Sequence, residues 1–110
     1  MLMFEVQSYL TKEGQCPVQD WLGALPDRQA RARIATRLLR LETGNPGDCK
    51  ALSGGLLELR IDWGPGYRVY YARVGARVVL LLAGGDKRTQ QADIATARRF
   101  WADWQQRNAP

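Results

Sequence analysis

The spacing of apolar residues changes twice along this chain, and that change limits its fold more than any other feature. In residues 28–43 the apolar side chains recur at helical spacing, at Ala30, Ile34, Leu38 and Leu41. From Leu56 the period falls to two, which is typical of strands, and over residues 90–106 it becomes helical again. Because helices and strands do not strictly alternate, we expect an α+β fold.

Turn-forming residues divide the chain into seven predicted elements. Pro17 suits the first turn of a helix because it lacks an amide that would be unpaired there. Asp27 can cap the next helix, because its carboxylate can accept a hydrogen bond from such an amide. The predicted elements are, in order, a strand at 3–9, helices at 18–25 and 28–43, strands at 56–62, 67–74 and 77–83, and a helix at 90–106. This β-α-α-β-β-β-α order predicts a single domain over residues 1–110, with a helical hairpin and a C-terminal helix on one face of a mainly antiparallel four-stranded sheet.

Two segments are predicted to be buried. Residues 78–82 read Val-Val-Leu-Leu-Leu, and a strand that is apolar on both faces is typical of the centre of a sheet that is covered on both sides. Trp101 and Trp104 fall on the same stripe of the last predicted helix as Ile94 and Ala97. We therefore expect both tryptophans to pack in the core rather than to stack on a ligand.

The net charge of +5 favours polyanionic partners, because Lys and Arg release counterions when they neutralise phosphates. Most of the excess lies in residues 56–110, which hold 9 Lys and Arg against 5 Asp and Glu. An acidic protein partner would satisfy the same surface.

Cysteine usage and the start of the sequence predict a cytoplasmic protein. Cys16 and Cys49 are isolated and the chain has no His, so neither a metal site nor another cofactor is expected. Two lone thiols suit a reducing compartment. The first residues lack a basic segment followed by an apolar run, and no stretch approaches the length of a membrane span, so neither a signal peptide nor a membrane partner is expected.

The predicted hairpin over residues 56–74 could place two arginines side by side. If Ile61 pairs with Tyr67 across a five-residue loop, Arg60 lies opposite Arg68. Opposed like charges destabilise a sheet. A fold tolerates them more readily if an anion lies between them, and two converging guanidinium groups are suited to bind a phosphate.

The same register places Glu58 opposite Tyr70. Two alternatives to this arrangement of the arginines remain open. A register shifted by one residue would put Arg60 opposite Val69. Alternatively, Arg60 pairs with Glu58 or Asp62, and Arg68 is a solvated strand residue.

Further basic residues lie outside this hairpin. Lys87 and Arg88 follow Gly84-Gly85, whose lack of side chains would allow the backbone to approach a ligand, although a solvated turn is the simpler interpretation. Arg33, Arg37 and Arg40 share one face of the second predicted helix. Such a face is usually solvated, and the alternative is a secondary contact with RNA or the ribosome.

Four strings together resemble the addiction-module killer proteins, which are HigB-like members of the RelE/ParE toxin superfamily. They are Glu58-Leu-Arg-Ile-Asp, Gly64-Pro-Gly-Tyr-Arg-Val-Tyr-Tyr, Leu80-Leu-Leu-Ala-Gly-Gly-Asp-Lys and Gln91-Ala-Asp-Ile-Ala-Thr-Ala. Pro17-Val-Gln-Asp-Trp-Leu, Ala30-Arg-Ala-Arg-Ile and Gly47-Asp-Cys-Lys also fit, so the resemblance runs from about Phe4 to about Trp104.

The resemblance implies the same β-α-α-β-β-β-α fold and a cognate antitoxin, which would silence the toxin within a hetero-oligomeric complex. Ribonuclease members of this superfamily cut messenger RNA, often in the ribosomal A site, whereas ParE-type members poison DNA gyrase. Because Arg60 and Arg68 suit a phosphate, they favour, within this resemblance, a cytoplasmic endoribonuclease that cuts messenger RNA on the ribosome. A gyrase poison and an inactive antitoxin-binding module remain the alternatives.

The resemblance also implies which residues form the site. Arg68 matches the arginine of the Tyr-Arg-x-x-Tyr strand, Arg60 closes the preceding strand, and Lys87 and Arg88 match the basic residues after the last strand. The chain departs from some relatives at Leu56 and Glu58, where those relatives carry lysines. It also has no His, and no Tyr after Tyr71.

A mechanism follows in which the 2′-hydroxyl of the RNA attacks the adjacent phosphate, without a metal. Arg60 and Arg68 would stabilise charge on the phosphorane, and Lys87 or Arg88 would neutralise the leaving oxygen. Glu58 or Tyr70 would take the hydroxyl proton. The candidates for RNA binding outside this centre are Arg33, Arg37, Lys50 and Arg73.

Overall fold

The computed structural model of this protein describes residues 3–110. Its helices and strands are β1 (Glu5–Ser8), α1 (Pro17–Ala24), α2 (Arg28–Leu41), β2 (Cys49–Ala51), β3 (Leu56–Ile61), β4 (Tyr67–Val74), β5 (Val78–Asp86) and α3 (Gln90–Arg107). Short 3₁₀ turns occupy Ser53–Gly55 and Lys87–Thr89. Every predicted helix and strand is present, and the ends differ by at most three residues.

The strands form one five-stranded sheet in the order β1-β5-β4-β3-β2. β1 pairs with β5 in parallel, and the other neighbours are antiparallel. The prediction of four strands was wrong, because β2 also joins the sheet and pairs with β3. Its three residues, Cys-Lys-Ala, carry no alternating pattern that could have revealed it.

The helices cover both faces of the sheet, so the prediction that they lie on one face was also wrong. One core contains Val18 of α1 and Ile34 of α2, packed with Leu59, Val69 and other residues of the sheet. The second core lies beneath α3. It contains the buried residues Tyr9, Leu56, Tyr70, Ala72, Leu80, Leu82, Ala83 and Ala97. Two covered faces explain why β5 is apolar on both sides, as its sequence indicated.

The aromatic residues of α3 pack as predicted. Trp101 and Trp104 lie against the second core, and their rings stack with centroids 5.6 Å apart. The indole Nε1 of Trp101 donates to the carbonyl of Gly54, 3.1 Å away. These contacts give both tryptophans a structural role.

Asp27 caps α2 and also ties it to the β3–β4 turn. Its Oδ1 accepts hydrogen bonds from the backbone amides of Gln29 (2.9 Å) and Ala30 (3.2 Å). Its Oδ2 accepts one from Trp63 Nε1 at 3.2 Å. The bond from Ala30, followed by that from Trp63, holds the pKa of Asp27 below its usual range.

Gly84 and Gly85 allow helices to approach β5 closely from opposite sides. A Cβ atom on Gly84 would lie 2.2 Å from Cε3 of Trp21 in α1. One on Gly85 would lie 1.8 Å from Oδ2 of Asp93 in α3. The glycine pair is therefore required by packing, rather than by a ligand approaching the strand end.

We expect Gly84→Ala to lower the free energy of unfolding by about 1–3 kcal/mol, because the indole of Trp21 has to move out of a packed core. Gly23→Ala is the control, since a Cβ there meets nothing within 4 Å and the residue lies in α1. Alanine should stabilise that helix by about 0.5–1 kcal/mol. Urea denaturation measures the free energy of unfolding of each variant. Equal stability of the two variants would contradict the conclusion that Gly84 is required by packing against Trp21.

Candidate functional site

The β3–β4 hairpin has the register in which its two arginines lie opposite each other. Ile61 pairs with Tyr67, and Arg60 with Arg68. The register shifted by one residue is therefore excluded. The turn between the strands closes with a hydrogen bond from Gly66 N to the carbonyl of Trp63, 3.0 Å away.

The end of β5 is tied to the same turn. Lys87 N donates to the carbonyl of Gly66 at 2.8 Å. A Cβ atom on Gly66 would lie 3.4 Å from Nη1 of Arg68 and 3.6 Å from Cβ of Lys87. Since Gly66 also has a φ of +85°, the turn brings these two cationic side chains together without a side chain of its own between them.

The residues around this turn line a surface pocket of about 500 Å³, which we call the basic pocket. It is lined by Asp48, Arg60, Asp62, Gly64, Pro65, Gly66, Arg68 and Lys87. Three cationic side chains and two carboxylates therefore line this pocket. This balance, in a concave site, favours an anion.

Arg60 is held by Asp48, a residue that the sequence analysis did not single out. Its Nη2 and Nε lie 2.8 and 3.1 Å from Oδ1 of Asp48. The pairing partners considered from the sequence, Glu58 and Asp62, are not the ones observed. The arginine remains 38% exposed, so it is oriented by the ion pair and still faces the pocket.

Arg68 is the more enclosed of the two arginines, with a side chain that is 13% exposed. Nη1 donates to the carbonyl of Tyr67 at 3.3 Å. Nε is buried and lies 3.8 Å from Oε1 of Glu58, too far for a hydrogen bond. The inner edge of this guanidinium thus faces a carboxylate, and the side chain also lines the basic pocket.

Glu58 and Tyr70 lie opposite each other as expected, but beneath the pocket and not in it. Glu58 is 1% exposed and its Oε2 accepts a hydrogen bond from Gln90 Nε2 at 2.7 Å. Tyr70 is fully buried, and its hydroxyl makes no hydrogen bond to another residue of the range 3–110. Burial, and then the charge of Glu58, raises the pKa of Tyr70 well above its usual range. Neither group is at the surface that a substrate would contact.

Of the two basic residues after β5, only Lys87 lines the pocket. Arg88 is 77% exposed and forms a bidentate pair with Asp86, with Nη2–Oδ2 and Nε–Oδ1 distances of 2.8 and 3.2 Å. This pair raises the pKa of Arg88 and lowers that of Asp86. Arg88 therefore lies beside the pocket and already has an anionic partner.

Two of the four predicted RNA-binding residues, Arg33 and Arg37, line the same cavity beside α2, and Lys50 and Arg73 lie elsewhere. Lys50 is exposed on the edge strand β2, opposite Glu58. Arg33 lies on α2 with its guanidinium carbon 3.8 Å from the centroid of the Trp63 ring. Arg73 lies next to Phe4, 5.2 Å from its ring centroid, and contributes to a small cleft apart from the basic pocket.

Arg37 has a structural role in this arrangement. Its guanidinium donates to the carbonyls of Arg60, Pro46 and Asp48 at 2.6, 2.8 and 3.1 Å. Burial lowers the pKa of Arg37. The side chain fastens α2 to the end of β3 and to the loop that carries Asp48.

Sequence reasoning missed Asp48, which pairs with Arg60, and Gln90, which donates to Glu58. Asp48 immediately precedes the short strand β2, and Gln90 is the first residue of α3. Neither residue lies at a sequence spacing from its partner that would indicate the contact. Within residues 3–110, no group of three or more His, Cys, Asp or Glu side chains could hold a metal ion. None of the helices in that range is long and apolar enough to cross a membrane.

Comparison with known proteins gives three findings. Residues 20–101 match the family described as phage derived protein Gp49-like (DUF891). An uncharacterised protein of Haemophilus influenzae is 49% identical over 78 residues, which cover 71% of this chain and 79% of that protein. A mutant of the E. coli toxin RelE, solved in the free state, superposes with a TM-score of 0.64 and 13% identity over 89% of this chain and 98% of that chain. The last likeness confirms the RelE-like fold that the sequence predicted.

Proposed function

Because the chain belongs to the phage-derived Gp49-like family and has the fold of the toxin RelE, we propose that it is the toxin of a type II toxin–antitoxin pair and cuts messenger RNA. A single observation carries the proposal. Arg60, Arg68 and Lys87 converge on one pocket of about 500 Å³, which suits the phosphate of a single-stranded RNA. A toxin of this type would act in the cytoplasm and would be silenced by a cognate antitoxin in a hetero-oligomeric complex.

In the proposed reaction the 2′-oxygen of the RNA forms a bond to the adjacent phosphorus, and the bond from phosphorus to the 5′-oxygen breaks. The products are a 2′,3′-cyclic phosphate and a 5′-hydroxyl end. Arg60 and Arg68 bind the non-bridging oxygens, whose negative charge increases in the transition state. Lys87, an ammonium group with three donors, neutralises and can protonate the leaving 5′-oxygen. Arg88 takes no direct part in this step, since Asp86 occupies its guanidinium.

The 2′-hydroxyl proton needs an acceptor that touches the substrate. Glu58 and Tyr70 were expected to supply it, but their burial favours a supporting role instead. Two carboxylates line the basic pocket, and Asp48 is already paired with Arg60. Asp62 is exposed and makes no hydrogen bond or ion pair within residues 3–110, so we assign it the role of general base.

Glu58 then acts through Arg68. The carboxylate lies beneath the guanidinium, and Gln90 holds it in place with a hydrogen bond of 2.7 Å. A buried anion at this position favours the orientation in which Nε points inward and the outer N–H groups point toward the pocket. Glu58 is thus a positioning residue in this proposal.

The substitution Asp62→Asn tests the general base. It keeps the size of the side chain and removes the proton acceptor, so we expect cleavage to slow by about 10²-fold with little change in RNA affinity. Glu42→Gln, a substitution at the end of α2 outside the basic pocket, is the charge-matched control. Purified protein would be incubated with a labelled message, with and without ribosomes, and the ends of the products analysed. An unchanged cleavage rate for Asp62→Asn would remove this residue from the mechanism.

A gyrase poison is the main competing function, and the same preparation distinguishes it. Inhibition of DNA supercoiling by the purified protein, with no RNA cleavage under either condition, would contradict the ribonuclease proposal. An inactive antitoxin-binding module would show neither activity.

A further inference from the structure

A second cavity, which we call the α2 groove, lies between α2 and the end of β3. Its volume is about 570 Å³, a size that suits a small organic group. It is lined by Gln29, Ala32, Arg33, Thr36, Arg37, Ile61 and Asp62. These side chains provide an amide, a hydroxyl, two guanidinium groups, a carboxylate and an apolar surface. The reaction proposed above uses only Asp62 from this set.

The α2 groove and the basic pocket meet at Asp62, which lines both. Arg37 holds the two sides of this junction together, because its Nη1 donates to the carbonyl of Arg60 at 2.6 Å. A ligand with its phosphate between Arg60 and Arg68 could therefore extend past Asp62 into the α2 groove.

The α2 groove also contains a cation that lies against an aromatic ring. The guanidinium carbon of Arg33 lies 3.8 Å from the centroid of the Trp63 ring. The indole of Trp63 is itself held by Asp27, at an Nε1–Oδ2 distance of 3.2 Å. Stacking on an aromatic ring restricts the guanidinium plane. Unpaired nucleobases stack on such planes, which makes Arg33 a suitable support for a base of single-stranded RNA.

The direction of the bound RNA follows from the residues at the two ends of the basic pocket. The hydroxyl that Asp62 would deprotonate belongs to the nucleotide on the 5′ side of the reacting phosphate. Lys87, which would neutralise the leaving 5′-oxygen, lines the basic pocket but not the α2 groove. We propose that the α2 groove binds the nucleobase on the 5′ side of the cleaved bond, an assignment that rests on the ribonuclease function proposed above.

The test compares two substitutions on the same helix. Ala32→Trp fills the α2 groove, whereas Ala35→Trp places the same side chain in a separate apolar groove. Both alanines are exposed on α2, so each substitution adds a tryptophan to the surface. The ligands are the methyl ester of uridine 5′-monophosphate, whose phosphate carries the single charge of a diester, and an adenylyl-uridine dinucleotide with a 2′-deoxy sugar on its 5′ side, which cannot be cleaved. Binding would be followed by NMR titration, with the indole N–H of Trp63 as a local probe.

The wild-type protein should bind the dinucleotide roughly 10-fold more tightly than the mononucleotide, since stacking of one base contributes about 1–3 kcal/mol. Ala32→Trp should remove this advantage and leave the affinity for the mononucleotide unchanged. Ala35→Trp should alter neither the affinity for the dinucleotide nor that for the mononucleotide. The Trp63 indole resonance should shift with the dinucleotide only.

A dinucleotide advantage that survives in Ala32→Trp would overturn the assignment of the α2 groove. If Ala32→Trp also lowers the affinity for the mononucleotide, Arg33→Ala tests the assignment instead. That substitution should leave phosphate binding intact and still lower the dinucleotide advantage. Failure of the wild-type protein to bind either ligand would instead contradict the ribonuclease proposal, and the groove assignment with it.

Discussion

Replacing Arg68 with alanine is expected to abolish growth arrest when the protein is produced without the proposed antitoxin. Arg68 lines the basic pocket, and its inner edge faces the buried carboxylate of Glu58. Removing a donor that stabilises charge in a transition state slows a reaction by about 10²–10³-fold, and here a full positive charge is lost as well. We expect a loss of about 10³-fold in the rate of RNA cleavage.

Arg77→Ala is the matched control for this substitution. It removes the same charge from the turn between β4 and β5, which lies outside the basic pocket, and it should leave growth arrest intact. Arg68→Lys should recover part of the activity, because the charge remains but the planar fork is lost. Thermal denaturation establishes that each variant is folded. Full toxicity of a folded Arg68→Ala variant would exclude this arginine from the site.

Replacing Glu58 with alanine is expected to affect both stability and activity. The carboxylate is 1% exposed and holds two partners, Gln90 by a hydrogen bond and Arg68 by charge. Removing one member of a buried charged pair usually costs about 3–5 kcal/mol of stability. The 3.8 Å separation from Arg68 places the expected loss near the lower limit, at about 3 kcal/mol. Urea denaturation measures this loss directly.

Glu58→Gln distinguishes a positioning role from a purely structural one. Glutamine keeps the shape of the side chain and an acceptor for Gln90, so most of the stability should return. It lacks the charge that orients Arg68, so the cleavage rate should remain low while RNA binding is largely kept. A Glu58→Gln variant that cleaves RNA at the wild-type rate would show that the charge of Glu58 has no part in holding Arg68.

The sequence predicted most of the fold because the apolar pattern of each long element agrees with its structure. β4 begins and ends where the pattern placed it, at Tyr67 and Val74. β2 could not be found, since three residues without alternation carry no periodic signal and its pairing depends on β3. The position of α3 on the face opposite α1 and α2 was also missed, because periodicity identifies the buried stripe of a helix but not the side of the sheet that it covers.

Only part of the candidate site was predicted, because some of its contacts are local in the sequence and others join distant elements. Pairing of Arg60 with Arg68 follows from local alternation and the length of the turn, which the sequence contains. The burial of Glu58 and Tyr70 depends on α3, which covers that part of the sheet face. The contact between Arg60 and Asp48 depends on the loop before β2. Tertiary contacts of this kind do not correspond to any fixed spacing of residues in the sequence.

The most direct test of the proposed function is to map the 5′ ends of messenger RNA within minutes of inducing the protein without the proposed antitoxin. We expect new 5′ ends inside translated regions, at defined positions, and none of them in cells that produce Arg68→Ala. Growth arrest with intact messages would contradict the account and would point to gyrase or another target.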